Sequence, residues 1–246
     1  MDNRSKKTLK NYFQKEFAGL ILEKLESGHR LSKFKINPFI LISLSSGVFG
    51  QPTSMNMAKA LLYPRVFGTS INTTFGDKMQ KLCVQFLGAQ ASGTAGMDIE
   101  FTDKTEKQHV IMQLKAGPNT INSGDVEPIL QDMHKAYRLL QQNRIKNMPT
   151  FAIGITYGTT PEISGHYKRI QSSPVGGQTN IPIYIGQNFW YRLTGNPKFY
   201  AEMLGIFIEV FEQENYSTLL EKDLKSLSAE IEKKYFTKGK FDQKKV

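Results

Sequence analysis

The stretch "GMDIEFTDKTEKQHVIMQLKAG", residues 96 to 117, constrains the fold more than any other part of the chain. Two runs of alternating residues, 96–101 and 108–115, flank the polar segment "TDKTEK", the pattern of an antiparallel hairpin. Strand side chains alternate between faces, so Asp98 and Glu100 share one face and Met97, Ile99 and Phe101 the other. On the second strand Ile111, Gln113 and Lys115 oppose Val110, Met112 and Leu114. Matching the apolar faces brings Asp98, Gln113 and Lys115 together at a strand edge, beside the exit "AGPNT". Burying even a neutral polar group without a partner costs about 2–7 kcal/mol, so these groups need partners. Two readings remain open. A hard divalent cation would take oxygen from Asp98 and the Gln113 amide, with Lys115 against a phosphoryl group. Alternatively, a surface hairpin carries an Asp–Lys pair worth about 0–1 kcal/mol, and periodicity alone favours this second reading.

The flanking segments supply the layers. An amphipathic helix is expected over 5–26, with Leu9, Tyr12, Phe13, Phe17, Leu20, Ile21 and Leu25 at helical spacing and an end at Ser27-Gly28. "INPF", residues 36–39, opens an apolar segment, and 54–63 is helical up to Pro64. A helix over 74–87 precedes the hairpin and one over 126–143 follows it. Runs 150–157 and 181–186 are strands, and 199–235 is helical, with a basic, frayed tail. The sum is an α/β fold: a mixed central sheet flanked by helices, with helical terminal regions. The division expected is a helical region 1–70, a core 71–198 that carries the hairpin, and a helical C-terminal region 199–246.

Composition excludes several classes. Hydrophobic residues are 39% and aromatics 11% of the chain, enough for a core, so global disorder is excluded. One cysteine, Cys83, permits no intrachain disulfide or cysteine metal knuckle, and its apolar helical setting reads as a buried thiol. Pro38 to Gly50 is too short to span a bilayer, and no apolar signal core follows the N-terminus, so a cytoplasmic protein without a membrane partner is expected. The net charge of +10 favours polyanionic partners, though a merely soluble basic protein has the same signature. His109 and His134 lack ligand spacing and read as structural; His166 adjoins "YKRI" and is a candidate phosphate contact.

The order Asp98, hairpin, Gln113-Leu114-Lys115 resembles the PD-(D/E)xK nuclease superfamily, with Met97-Asp98 at the "PD" position. "INPF" (36–39), "PRVFG" (64–68), "LKAG" (114–117), "ITYG" (155–158), "YKRI" (167–170) and "YIGQNFWYRL" (184–193) resemble, in order, one group of type II restriction endonucleases that cut an interrupted GGNCC-centred duplex site. The resemblance implies a magnesium-dependent homodimer that cuts both strands of double-stranded DNA, with 71–198 as the catalytic core, 1–70 for dimerisation or DNA contact, and a cognate DNA methyltransferase in the same restriction-modification system. It places Asp98 at the invariant metal-binding acid, Lys115 at the catalytic lysine, and Leu114 between them as a further metal contact. Gln113 departs from the pattern, since it stands where the superfamily has its second acid; Glu100 or Asp77 is left to compensate. Asp77 also reads as an exposed residue in a first helical turn.

For DNA contacts the candidates are Lys168, Arg169, Gln178 and Asn180, in the long connection "GHYKRIQSSPVGGQTN", with Arg169 foremost for reading a base. Arg65 is a further candidate for DNA, packing or dimer contact. Gln131 and Tyr137 lie on the helix after the lysine, where Gln131 touches either the metal shell, a phosphate, or only solvent. A structure-selective repair nuclease and an inactive DNA-binding relative are the competing functions.

Overall fold

The computed structural model describes residues 1–26 and 30–245, apart from the side chains of Phe67 and of 69–73. The expected helix end at Ser27-Gly28 therefore lies outside the described residues. In chain order the helices are α1 (Asn3–Phe13), α2 (Gly19–Glu26), α3 (Pro38–Gly47), α4 (Ser54–Phe67), α5 (Thr69–Phe86), α6 (Ser123–Gln142), α7 (Gly165–Gln171), α8 (Gln187–Thr194), α9 (Phe199–Glu212) and α10 (Tyr216–Tyr235). The strands are β1 (Gln90–Ala91), β2 (Ile99–Thr102), β3 (His109–Lys115), β4 (Thr150–Ile155), β5 (Ile183–Ile185), β6 (Phe236–Thr237) and β7 (Lys240–Phe241). Two compact units result: Met1–Leu9 with Thr73–Ile206, and Lys10–Asn72 with Phe207–Val246.

The first unit holds the expected mixed sheet, in the order β1-β2-β3-β4-β5. β1, β2 and β3 are antiparallel, while β3, β4 and β5 run parallel. Parallel neighbours need a crossover, and α6 supplies the one between β3 and β4. That helix starts three residues before the expected position because "NSGD" is a cap and not a loop. Asn122 Oδ1 accepts from the Gly124 N–H at 2.7 Å, and Asp125 accepts from the Asn122 N–H at 2.7 Å. Ile111, Phe151, Ile153 and Ile155 from the strands pack with Ile129 and Met133 of α6 and Tyr167 and Ile170 of α7. β1 is too short and too exposed to have shown any periodicity.

At the turn between β2 and β3 the Asp103 carboxylate is fully buried. It accepts from the N–H and hydroxyl of Thr105, both at 2.7 Å, and from Arg192 Nη1 at 2.6 Å. Arg192 Nη2 lies 2.7 Å from Glu106, and the guanidinium stacks 4.4 Å from the Tyr184 ring centroid. Burial alone would raise the Asp103 carboxyl, but the Thr105 and Arg192 hydrogen bonds outweigh it and hold the pKa below its usual value.

In the second unit Leu25, Met57, Leu62, Leu227 and Ile231 form the core. The N-terminal helix is interrupted by a π-helical turn, Gln14–Ala18, and Phe13, Phe17 and Phe207 meet edge to face around it at 5.1–5.7 Å. α4 continues through Pro64, where a stop was expected, because buried Leu62 and Val66 on its flanking turns hold it in the helix. The basic tail is not frayed. β6 and β7 pair, Phe236 is buried, and the Asp242 N–H donates to the Tyr235 carbonyl.

Candidate active site

The expected hairpin forms, with Ile99 opposite Met112 and Phe101 opposite Val110. Its first strand begins one residue after Asp98, however, and the Asp98 N–H donates to the Met112 carbonyl at 2.9 Å. Asp98 and Ile99 thus both address Met112, the pattern of a β-bulge, which breaks the expected alternation and re-aims the Asp98 side chain. As a result Asp98 and Glu100 do not act as a pair. Glu100 accepts from the Ser92 hydroxyl and lies 3.4 Å from His109 Nε2, so both Glu100 and His109 are engaged at the β1 side of the sheet.

Asp98 is turned instead toward the end of β3. Its Oδ2 accepts from the Leu114 N–H at 2.7 Å, and Gln80 of α5 donates to its backbone carbonyl at 3.3 Å. Burial raises the Asp98 carboxyl above its usual pKa; the Leu114 N–H and the Lys115 charge oppose this, and the Asp77 charge adds to it. Asp77 and Lys115 are therefore electrostatic neighbours of Asp98. Because α5 starts at Thr69, Asp77 sits more than two turns inside the helix, and the helix dipole no longer accounts for it.

Gln113 is buried, and its Nε2 donates to the Gly96 carbonyl at 2.6 Å. Gly96 has φ +80°, and a Cβ there would strike the Asp132 carboxylate of α6, so only glycine fits. The Gln113 Oε1 is buried and accepts no hydrogen bond, a costly state unless something completes it. The oxygen donors at this end of the hairpin are the Asp98 carboxylate, with Asp77 as its electrostatic neighbour, the Gln113 amide oxygen and the Leu114 backbone. Among the described residues no three His, Cys, Asp or Glu side chains cluster to cage an ion by themselves. The set fits a cation that keeps several waters, as magnesium does, better than zinc or an all-protein calcium cage.

The expected DNA contacts divide. Lys168 and Arg169 lie not on a loop but on α7, exposed beside the buried Tyr167 and Ile170. Gln178 is committed to the backbone: its Oε1 accepts from the Phe151 N–H at 2.7 Å and its Nε2 donates to the Phe151 carbonyl at 3.1 Å. Asn180 is exposed. Arg65 Nη1 donates to the Lys33 carbonyl at 3.0 Å and stacks 5.1 Å from the Phe34 ring centroid, which is a packing role. Gln131 bonds to Glu127 one turn back on an exposed face, and Tyr137 accepts from Gln141 and packs on Gly176. His134 and His166 are half-buried, and Cys83 is buried, with its thiol pushed up by burial.

No curated protein matches the chain. The family model described as type II restriction endonuclease EcoO109I matches residues 4–215, which include the hairpin, α5 and α7. With that span and the mixed sheet in place, the chain is a site-specific deoxyribonuclease that binds double-stranded DNA, and it belongs to the type II restriction endonuclease EcoO109I family.

Proposed function

We propose that the chain cuts both strands of an interrupted GGNCC-centred duplex site with magnesium. It acts as a cytoplasmic homodimer in a restriction-modification system whose methyltransferase protects the same site. The observation that carries the catalytic part is the half-buried Asp98 carboxylate, fixed by the Leu114 N–H, with Lys115 and Asp77 as electrostatic neighbours. Asp98, Asp77, Gln113 Oε1 and the Leu114 carbonyl would hold the ion. When bound, magnesium supplies a water of lowered pKa and charge stabilisation at a phosphoryl oxygen. Lys115 places an ammonium where negative charge grows on the scissile phosphate. Gln113 contributes one negative charge fewer than an acid would, and this lowers the attraction of the site for a cation. Lys168 and Arg169, exposed on α7, are the proposed contacts to DNA, with Arg169 bidentate to a guanine. The helical residues 1–70 serve the dimer, and two-fold symmetry then matches the symmetry of the site. Among the described residues no helix is long and apolar enough to cross a membrane.

The test is digestion of a long phage DNA with the purified protein, with magnesium and with EDTA. Discrete fragments in magnesium and none in EDTA are expected. Nicks confined to flaps or junctions, or an unbroken smear, would overturn this reading.

A further inference from the structure

The exit from β3 just after Lys115 is unusually well held. The Thr156 N–H donates to the Lys115 carbonyl at 3.1 Å, and the Thr156 hydroxyl donates to the Ala116 carbonyl at 2.6 Å. The Thr156 carbonyl in turn accepts from the buried Trp190 indole at 2.8 Å. One residue on, the Gly117 carbonyl accepts from Thr120 at 2.9 Å and from the Tyr167 hydroxyl at 3.2 Å. The phenol end of Tyr157 lies against Gly117, where any Cβ would collide with it. Thr156 is itself 2% exposed, so water cannot replace its bonds.

A lysine is a point charge on a flexible stem, and its usefulness depends on how well its backbone is anchored. Parallel pairing to β4 already fixes the strand up to Lys115 opposite Ile155. The ladder ends with the Thr156 N–H on the Lys115 carbonyl, and beyond it the Thr156 hydroxyl on the Ala116 carbonyl, then Thr120 and Tyr167 on the Gly117 carbonyl, continue the restraint. We propose that Thr156 is a positioning residue for Lys115, whose hydroxyl locks the strand exit so that the ammonium meets the scissile phosphate. The proposal rests on the catalytic role of Lys115 given above.

Thr156→Val keeps the shape and removes only the hydroxyl, while Thr156→Ser keeps the hydroxyl. Single-turnover cleavage in saturating magnesium is expected to slow in Thr156→Val by on the order of 10- to 10²-fold. Affinity for the same duplex in calcium should stay within about twofold of wild type, since only the transition state uses the aligned ammonium. Thr156→Ser should recover most of the rate. Cleavage is measured well below each variant's melting temperature, so partial unfolding cannot mimic the loss. Wild-type cleavage by Thr156→Val, or a loss carried by DNA affinity with the rate intact, overturns the proposal. So does failure of Thr156→Ser to recover. Lys115→Ala runs alongside: if it cleaves normally, the catalytic reading falls, whereas an inert Lys115→Ala with an unaffected Thr156→Val removes the positioning role alone.

Discussion

The two ends of the β2–β3 hairpin treat charge in opposite ways. At the turn, Asp103 meets Thr105 and Arg192, Arg192 also meets Glu106 and Tyr184, and the carboxyl pKa is driven down. At the far end, Asp98 has a single N–H against its carboxylate among the bonds described, burial drives its pKa up, and Gln113 keeps a buried oxygen without a donor. At the first end both Asp103 oxygens are taken, although Arg192 Nε stays without a partner, and this is the use of polar groups that stabilises a fold. The second is held in shape by bonds to the backbone while the Gln113 oxygen stays uncommitted, as the proposed cation site requires. Two acids five residues apart on one hairpin thus serve opposite ends.

The largest contrast should appear on cleavage. Asp98→Asn and Lys115→Ala are each expected to abolish it, while Asp98→Asn melts at or above the wild-type temperature in EDTA, because it removes a half-buried charge whose desolvation outweighs the Leu114 N–H and the Lys115 charge. An Asp98→Asn variant that still cuts would erase the distinction between the ends. Gln113 gives the next effect. Gln113→Ala should lose about 10- to 100-fold in activity or metal affinity, and Gln113→Glu should keep activity at lower magnesium concentrations than wild type. Wild-type titration by Gln113→Ala would remove Gln113 from the ligand set and leave Asp77 with Asp98. At the turn the expectation is reversed: Arg192→Ala should destabilise the fold by about 3 kcal/mol by stranding buried Asp103, with cleavage near wild type at low temperature. A dead but fully stable Arg192→Ala would show that the turn serves catalysis after all.

The smallest effect is on pH. The Asp98 pKa is raised on folding, so its neutral form favours the fold at low pH, and that contribution is lost as pH rises from about 3.9, the unfolded value, through the folded value. Asp98→Asn should therefore exceed wild type in metal-free stability at pH 7, with the gap closing on acidification. The Asp103 pKa is lowered, so its contribution is present above about 3.9 and is lost as pH falls through the still lower folded value. Asp103→Asn should fall short of wild type at pH 7 and approach it only at the acid extreme. Thermal melts across that range check both signs, and parallel curves for the two variants would contradict the contrast.

Much of the sheet was legible, because hydrophobic alternation is a local signal. The hairpin, β4, β5 and the helices on either side follow from it. The bulge at Asp98 was not, since it depends on a turn in which the Met97 N–H donates to the Thr94 carbonyl, and alternation was assumed unbroken. The Asp103–Arg192 pair was invisible for another reason: its partners are 89 residues apart, and no local spacing encodes such a meeting. α7 had a signal that could have been found, as Tyr167 and Ile170 are three apart and both face the core. For the candidate site, residue types pointed to Asp98, Gln113 and Lys115, but only packing separates Asp77 beside Asp98 from Glu100, which Ser92 and His109 engage.

The Gln178 side chain also decides how one margin of the sheet ends. β4 starts at Thr150, but its pairing with β5 begins only at Ile153. The Phe151 N–H and carbonyl would otherwise stand open along that uncovered margin. The Gln178 amide presents a donor and an acceptor to them in the spacing of a peptide group, and so acts as a strand one residue long. Open margins of this kind recruit extended segments from other molecules and seed aggregation. A single side chain here closes the margin, and the sheet ends where the chain needs it to end.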